Sequence, residues 1–207
     1  MKSMATVRAL ARRERAEFAD LLDTLTTDQW SAPSLCAGWT VRDVAAHVVA
    51  YLDQTVIALS GNMIRYRCDI DRLNAAVARR YSEVEPAELV GRMRRGSDPV
   101  GAAALYGGRV ALIECLIHQQ DIRRPLGAHR VLDIPRVRVC LDYARVSPVI
   151  GGRRRTRGVR LVATDMAWAA GAGPEVRGTG EALLFAMTGR SAAVSDELSG
   201  DGVTLLR

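Results

Sequence analysis

The stretch RVALIECLIHQQDIRRPLG, residues 109–127, decides the fold. Val110 to Ile117 are almost wholly apolar, yet Glu114 sits inside that run, with His118 and Asp121 one and two turns further on. On a helix, residues four and seven apart share a face, so Glu114, His118 and Asp121 project together beside Val110, Ala111 and Ile117. Leu112 and Leu116 turn to the opposite side. The helix is thus apolar nearly all round and is expected to be buried. A buried carboxylate is costly unless it is paired or bound to a metal, so Glu114 demands a partner. The helix is expected to run from about 99 to 124 and to stop at Pro125 and Gly127.

Working outward, residues 5–24 place Val7, Leu10, Ala11, Phe18, Leu21 and Leu22 at helical spacing, which predicts a first amphipathic helix. The segment TTDQWSAPSLCAGWT (26–40) reads as a structured loop through Pro33 and Gly38. Thr40, with Asp43 three residues on, is an N-cap that opens a second helix from 41 to about 60, with Gly61 and Asn62 as stop signals. A third helix is expected over 69–81, a short one from Pro86 to 95, and a last one over 134–147 with Pro135 in its first turn.

After residue 158 the pattern changes. GVRLVATDMAWAAGAGPEVRG (158–178) shows short β-like runs separated by glycine, proline and aspartate. A helix over 179–188 follows, and two more short strands are expected around GDG (200–202). The fold class expected is therefore mainly α: a helical bundle over 1–150, a basic linker over 151–158, and a small α+β C-terminal domain over 159–207.

The bulk composition fits that reading. A chain of 207 residues is long enough to bury a core without disulfides. Its four cysteines, Cys36, Cys68, Cys115 and Cys140, lack the spacing of a cysteine zinc site and suggest a reduced, cytoplasmic setting. No apolar run has the length of a membrane span, and the charged start is unlike a signal peptide. The net charge of +6 comes almost entirely from arginine, Lys2 being the only lysine. Its one dense block, GGRRRTRG (151–158), lacks interleaved aromatics and reads as a solvated connector rather than a nucleic-acid patch.

Of three histidines, His47, His118 and His129, His47 falls on the second helix at the edge of a stripe formed by Val41, Val44, Ala45, Val48 and Leu52. Two histidines and a glutamate from two helices make an open three-ligand zinc site, whose fourth position is left for water or substrate. The alternative is an i,i+4 hydrogen-bonded Glu114–His118 pair with His47 merely packed.

SLCAGWTVRDVAAHVVA (34–50) is very similar to the signature of the mycothiol-dependent maleylpyruvate isomerase family, a branch of the DinB-like metal-binding four-helix bundles. ECLIHQQDIRRPLG (114–127) resembles the second half of that signature, and GTGEALLFAMTGR (178–190) and LSGDGVTLLR (198–207) resemble the family's small C-terminal domain. The resemblance implies a DinB-like bundle with His47, Glu114 and His118 as ligands of zinc or another divalent metal. It also implies mycothiol as thiol cosubstrate. Asp121 is implied as a residue that orients a ligand imidazole, its alternative being a helix-surface partner of Arg123 or Arg124. Arg190 is implied as a catalytic cation toward an acidic substrate, its alternative being a surface arginine at a helix end. Trp30 and Trp39 are read as core and loop anchors, and Cys36 as a packed thiol.

The function implied is a zinc-dependent, thiol-using enzyme, a mycothiol S-transferase or an isomerase, acting on a small electrophile or unsaturated acid. A compressed middle (60–100) and a reduced C-terminal module depart from the family's best-known members, in regions that shape the substrate pocket. The competing class is a metal-binding or ligand-sensing protein without turnover. Oligomeric state is left open.

Overall fold

The computed structural model describes residues 4–52, 54–67, 69, 72–74, 76, 81 and 83–206. The chain divides into two compact units, 1–129 and 130–207.

The first unit is built on four helices: α1 (Met4–Asp23), α3 (Val41–Ala50), α5 (Pro86–Arg95) and α6 (Leu105–Arg123). Helix α1 packs on α6 and α5, and α3 packs on the same two, so α1 and α3 stand at opposite corners of a bundle. Phe18 and Leu22 of α1, Val41, Val44, Ala45 and Val48 of α3, Leu89 and Met93 of α5, and Cys115 and Ile122 of α6 close into one core. This is the arrangement that the 3.6-residue periodicity requires, each helix burying its apolar stripe against two neighbours.

Local signals account for most boundaries. Thr40 caps α3 by accepting from the Asp43 amide, while the Asp43 side chain accepts from the Thr40 amide. Pro86 occupies the first turn of α5, where its missing N–H costs nothing. Helix α6 ends as expected at 123: Gly127 takes a left-handed φ of 66° and the Ala128 amide returns to the Arg123 carbonyl at 2.9 Å. Before α6, Gly101–Ala104 form a 3₁₀ turn and residues 106–108 carry positive φ, so regular helix starts only at Arg109 rather than near 99. Gly108 makes this possible, because a Cβ there would lie 3.3 Å from the Arg8 backbone where α1 passes.

The second helix is shorter than expected. It stops at Ala50, and α4 (Val56–Arg65) begins afresh with Thr55 accepting from the Ala58 amide. The serine/threonine-type start signal at Thr55 outcompetes the continuing apolar pattern. The helix expected over 69–81 falls largely outside the described residues. A short α2 (Thr27–Ser31), with a capping box from Thr26, buries Trp30 as an anchor.

In the second unit, α7 (Ile134–Val146) packs against α9 (Gly180–Met187), whose residues 182–187 are all buried. The helix over 134–146 therefore belongs with the C-terminal residues, and the boundary expected near 150 lies inside this unit. The segment read as a basic linker is likewise folded into it: α8 (Gly152–Arg155) packs on α7 and α9, with Gly152 so close to the Ala144 carbonyl that a Cβ would meet it at 2.6 Å. Strands β1 (Arg160–Ala163), β2 (Ala169–Gly171) and β3 (Glu175–Gly178) form a sheet of order β2-β1-β3, β1 antiparallel to β2 and parallel to β3. The two strands expected around GDG are instead 3₁₀ turns over Ser191–Glu197 and Val203–Leu205, with a single bridge between Arg177 and Ser199. Glycines at 200 and 202 hold the chain too tightly for a ladder; a Cβ on Gly200 would lie 2.3 Å from the Glu175 carbonyl oxygen.

Candidate metal centre

The sequence pattern puts His47 on α3 and Glu114 and His118 on α6, and the packing of those two helices brings the three together. His47 Nε2 lies 3.8 Å from Glu114 Oε2, and His118 Nε2 lies 3.5 Å from the same oxygen. One donor atom from each residue falls within 4.8 Å of the other two. The imidazole rings of His47 and His118 meet edge to face with centroids 5.0 Å apart.

Each imidazole is held from behind. Trp39 packs against the His47 ring at 5.3 Å and Tyr51 at 5.1 Å, fixing its plane. The Tyr51 hydroxyl lies 3.0 Å from Asn74 Oδ1. His118 Nδ1 lies 2.9 Å from Asp121 Oδ2. Asp121 is fully buried and does not lie on the helix surface. Its carboxylate also accepts from the Cys36 thiol at 3.2 Å, and its main-chain carbonyl accepts from the Leu35 amide at 3.0 Å. The loop ahead of α3 is thereby tied to α6. Within it, the Ser34 hydroxyl donates to the Trp39 carbonyl and accepts from the Cys36 amide.

Glu114 departs from expectation in one respect. Its helix is buried, but the Glu114 side chain keeps 39% of its surface, so the carboxylate sits at an opening rather than sealed in the core. Burial penalises its charge, and hydrogen bonds from His118 and His47 outweigh that penalty, holding the carboxyl well below the usual carboxylate range. For His118, burial opposes the charged form, while Asp121, Cys36 and Glu114 raise the pKa well above its ordinary 6.5. A carboxylate shared by two histidines, one of them backed by a second carboxylate, is an arrangement that could hold a cation.

The donor set fits zinc. Histidine nitrogen and carboxylate oxygen bind it at about 2.0–2.2 Å, which places tetrahedral ligand atoms roughly 3.4 Å apart, close to the 3.5 and 3.8 Å spacings to Glu114. Three protein ligands with a half-exposed carboxylate leave one side for a further ligand. Cys36, His118 and Asp121 also lie within ligand distance of one another, but Asp121 Oδ2 is already engaged by both partners.

Arg190 stands at the C-terminal end of α9 in the second unit, where its guanidinium donates to the Thr188 carbonyl at 3.0 Å. Sequence reasoning read Cys36 as a packed thiol and gave Tyr51 no role, whereas Cys36 bonds Asp121 and Tyr51 packs on the His47 ring. Cys36 and Asp121 are 85 positions apart, a separation that no local period reports.

The fold and site define a four-helix bundle with an open, two-histidine, one-carboxylate cluster between two of its helices. Residues 11–75, which carry α3 and His47, match the family model described as the mycothiol maleylpyruvate isomerase N-terminal domain. Two solved structures share the fold: mycothiol-dependent maleylpyruvate isomerase and a histidine-to-alanine mutant of it. Each is 16% identical, with a TM-score of 0.66 over 96% of this chain and 93% of theirs. No curated protein matches the chain in sequence. The expected fold class, a mainly α bundle with a small α+β part, is borne out. No helix among the described residues is long and apolar enough to cross a membrane.

Proposed function

We propose that the chain is a mycothiol-dependent enzyme of the maleylpyruvate isomerase type, with His47, Glu114 and His118 holding a divalent cation, zinc by the chemistry of the donors. The observation that carries this reading is the convergence of His47 Nε2 and His118 Nε2 on one oxygen of a half-exposed glutamate. The match of residues 11–75 and the shared fold support it. When bound, such a cation lowers the pKa of a coordinating thiol, so that thiolate is present at neutral pH.

The chain's own residues supply the rest. Asp121, which can only accept when ionised, fixes the proton on His118 Nδ1 and leaves Nε2 as the ligating atom. Trp39 and Tyr51 hold the His47 ring so that its Nε2 faces the same point. The opening beside Glu114 admits the thiol and an electrophile. In the isomerisation, the thiolate sulfur bonds to the β-carbon of an unsaturated keto acid while the π pair moves to the conjugated carbonyl oxygen. The former double bond turns, the enolate re-forms it, and the carbon–sulfur bond breaks to return the thiolate. A transferase would protonate the enolate carbon and keep the adduct. Cytoplasmic operation follows from the need for a reduced thiol.

Elemental analysis of the purified protein, with a turnover assay using mycothiol and a cis-unsaturated keto acid or a simple electrophile, tests the reading. One divalent ion per chain and mycothiol-dependent turnover are expected, both lost in His118→Ala. Stoichiometric metal without turnover would instead mark a metal-binding or ligand-sensing protein. Absence of both would end the proposal.

A further inference from the structure

The arginine block GGRRRTRG remains unexplained by the site in the first unit. In the folded second unit its members separate. Arg155 turns inward and donates to the Ile150 carbonyl, whereas Arg153 and Arg157, four positions apart, border a cavity of about 520 Å³ together with Arg145 from the end of α7. The cavity is lined by apolar residues, Val159 and Leu161 buried at its base and exposed Val146 at its rim, and no acidic residue lines it. Gly171 shapes one wall: it has a φ of 89°, and a Cβ there would lie 2.3 Å from the Val159 carbonyl oxygen, so no side chain intrudes.

Arg145, Arg153 and Arg157 are exposed, and none makes an ion pair among the described residues. Three arginines line this cavity and no carboxylate does, so an anion entering it meets positive charge without a competing acidic side chain. Guanidinium forks grip carboxylate, sulfate or phosphate oxygens in pairs. An apolar floor gives nothing to a bare inorganic ion but rewards a hydrocarbon body, at about 25 cal/mol per Å² removed from water. The volume lies within the roughly 300–1,000 Å³ typical of small-molecule sites.

We propose that this cavity binds a small amphipathic organic anion, its acidic head between Arg145, Arg153 and Arg157 and its aliphatic or aromatic body over Val146, Val159 and Leu161. The site lies wholly within the second unit and does not depend on the metal centre or on the enzyme assignment.

Calorimetric titration of the full chain with decanoate, decanol and sodium sulfate tests it. Saturable binding of one decanoate per chain is expected, at least tenfold tighter than either decanol or sulfate. The double variant R153Q/R157Q should weaken decanoate at least tenfold with an unchanged thermal midpoint, since both side chains are exposed. His118→Ala should leave decanoate binding intact, separating this cavity from the site on α3 and α6. Ala170→Trp, which fills the floor without touching the charges, should abolish binding. The proposal is overturned if decanoate does not saturate at millimolar concentration, if the double variant binds as the parent does, or if sulfate binds as tightly as decanoate. It is also overturned if the block binds only single-stranded DNA with steep salt dependence.

Discussion

Asp121 Oδ2 lies 2.9 Å from His118 Nδ1. Because Asp121 is fully buried, its charge is tolerated only through the groups that donate to it, His118, Cys36 and whatever else the loop provides. The pair therefore serves two ends at once, satisfying a buried carboxylate and aiming His118 Nε2 at Glu114. Asp121→Asn keeps the volume but removes the charge that favours a proton on Nδ1. Its expected effect is a loss of zinc affinity of about 10- to 100-fold, as for other residues that orient ligand histidines. Competition with a chromogenic chelator measures it; an unchanged affinity would show that His118 is oriented by packing alone.

The metal-free protein should have a stability window set by the same cluster. For Glu114, burial works against the charge but the hydrogen bonds from His118 and His47 prevail, so its pKa is below the ordinary 4.5 in the fold. That contribution is present above about pH 4.5 and is lost as pH falls through the lower folded value. For His118, burial again opposes the charge but Asp121 prevails among the groups that raise the pKa above 6.5. That contribution is complete below about pH 6.5 and is lost as pH rises through the folded value. Urea midpoints of chelator-treated protein should therefore peak between these limits and decline on both sides. Glu114→Gln should flatten the acid side, and His118→Gln the alkaline side.

Tyr51 gives an optical readout of the site. Burial and the neighbouring Glu114 charge push its hydroxyl from 10.0 up to about 12. In alkaline titration followed at the tyrosinate absorbance, Tyr51 should ionise late, and Glu114→Gln should bring it earlier. The neutral phenol stabilises the fold fully below about pH 10, and that share disappears through pH 12. If the Tyr51→Phe variant titrates as the parent does, no late-ionising group belongs to Tyr51 and its packing against His47 is wrong.

Thr40→Ala removes the cap of the helix that carries His47. The capping box satisfies amides at the start of α3, and its loss should cost about 1 kcal/mol. Because α3 also bears the His47 end of the cluster, thermal unfolding should fall by a few degrees in metal-free protein, and zinc should restore part of the difference.

Much of the bundle was legible in the chain. The periodicities of α1 and α6, the Thr40–Asp43 start of α3, Pro86 at the start of α5, and the Pro125–Gly127 stop are short-range signals, set within a few turns by sterics and hydrogen bonding. The same rules placed Glu114 and His118 on one helical face. They did not foresee the break at Ala50, because an apolar stripe continuing past 50 hides a second N-cap at Thr55. Nor did they find the 3₁₀ turns after Ser191, where glycine contacts with another strand decide the backbone.

The sequence alone determined that Glu114 needed a partner and that His118 stood one turn away, since helix geometry fixes neighbours four residues apart. Only the tertiary structure decided that His47 meets the same oxygen, that Cys36 and Asp121 share a bond, and that Glu114 opens to solvent instead of the core. It also turned Arg155 of the arginine block inward and set Arg153 and Arg157 beside a cavity. Those outcomes depend on which helix faces pack and on loops folding back over long separations. Such contacts are selected by the burial of whole surfaces and leave no period in the sequence.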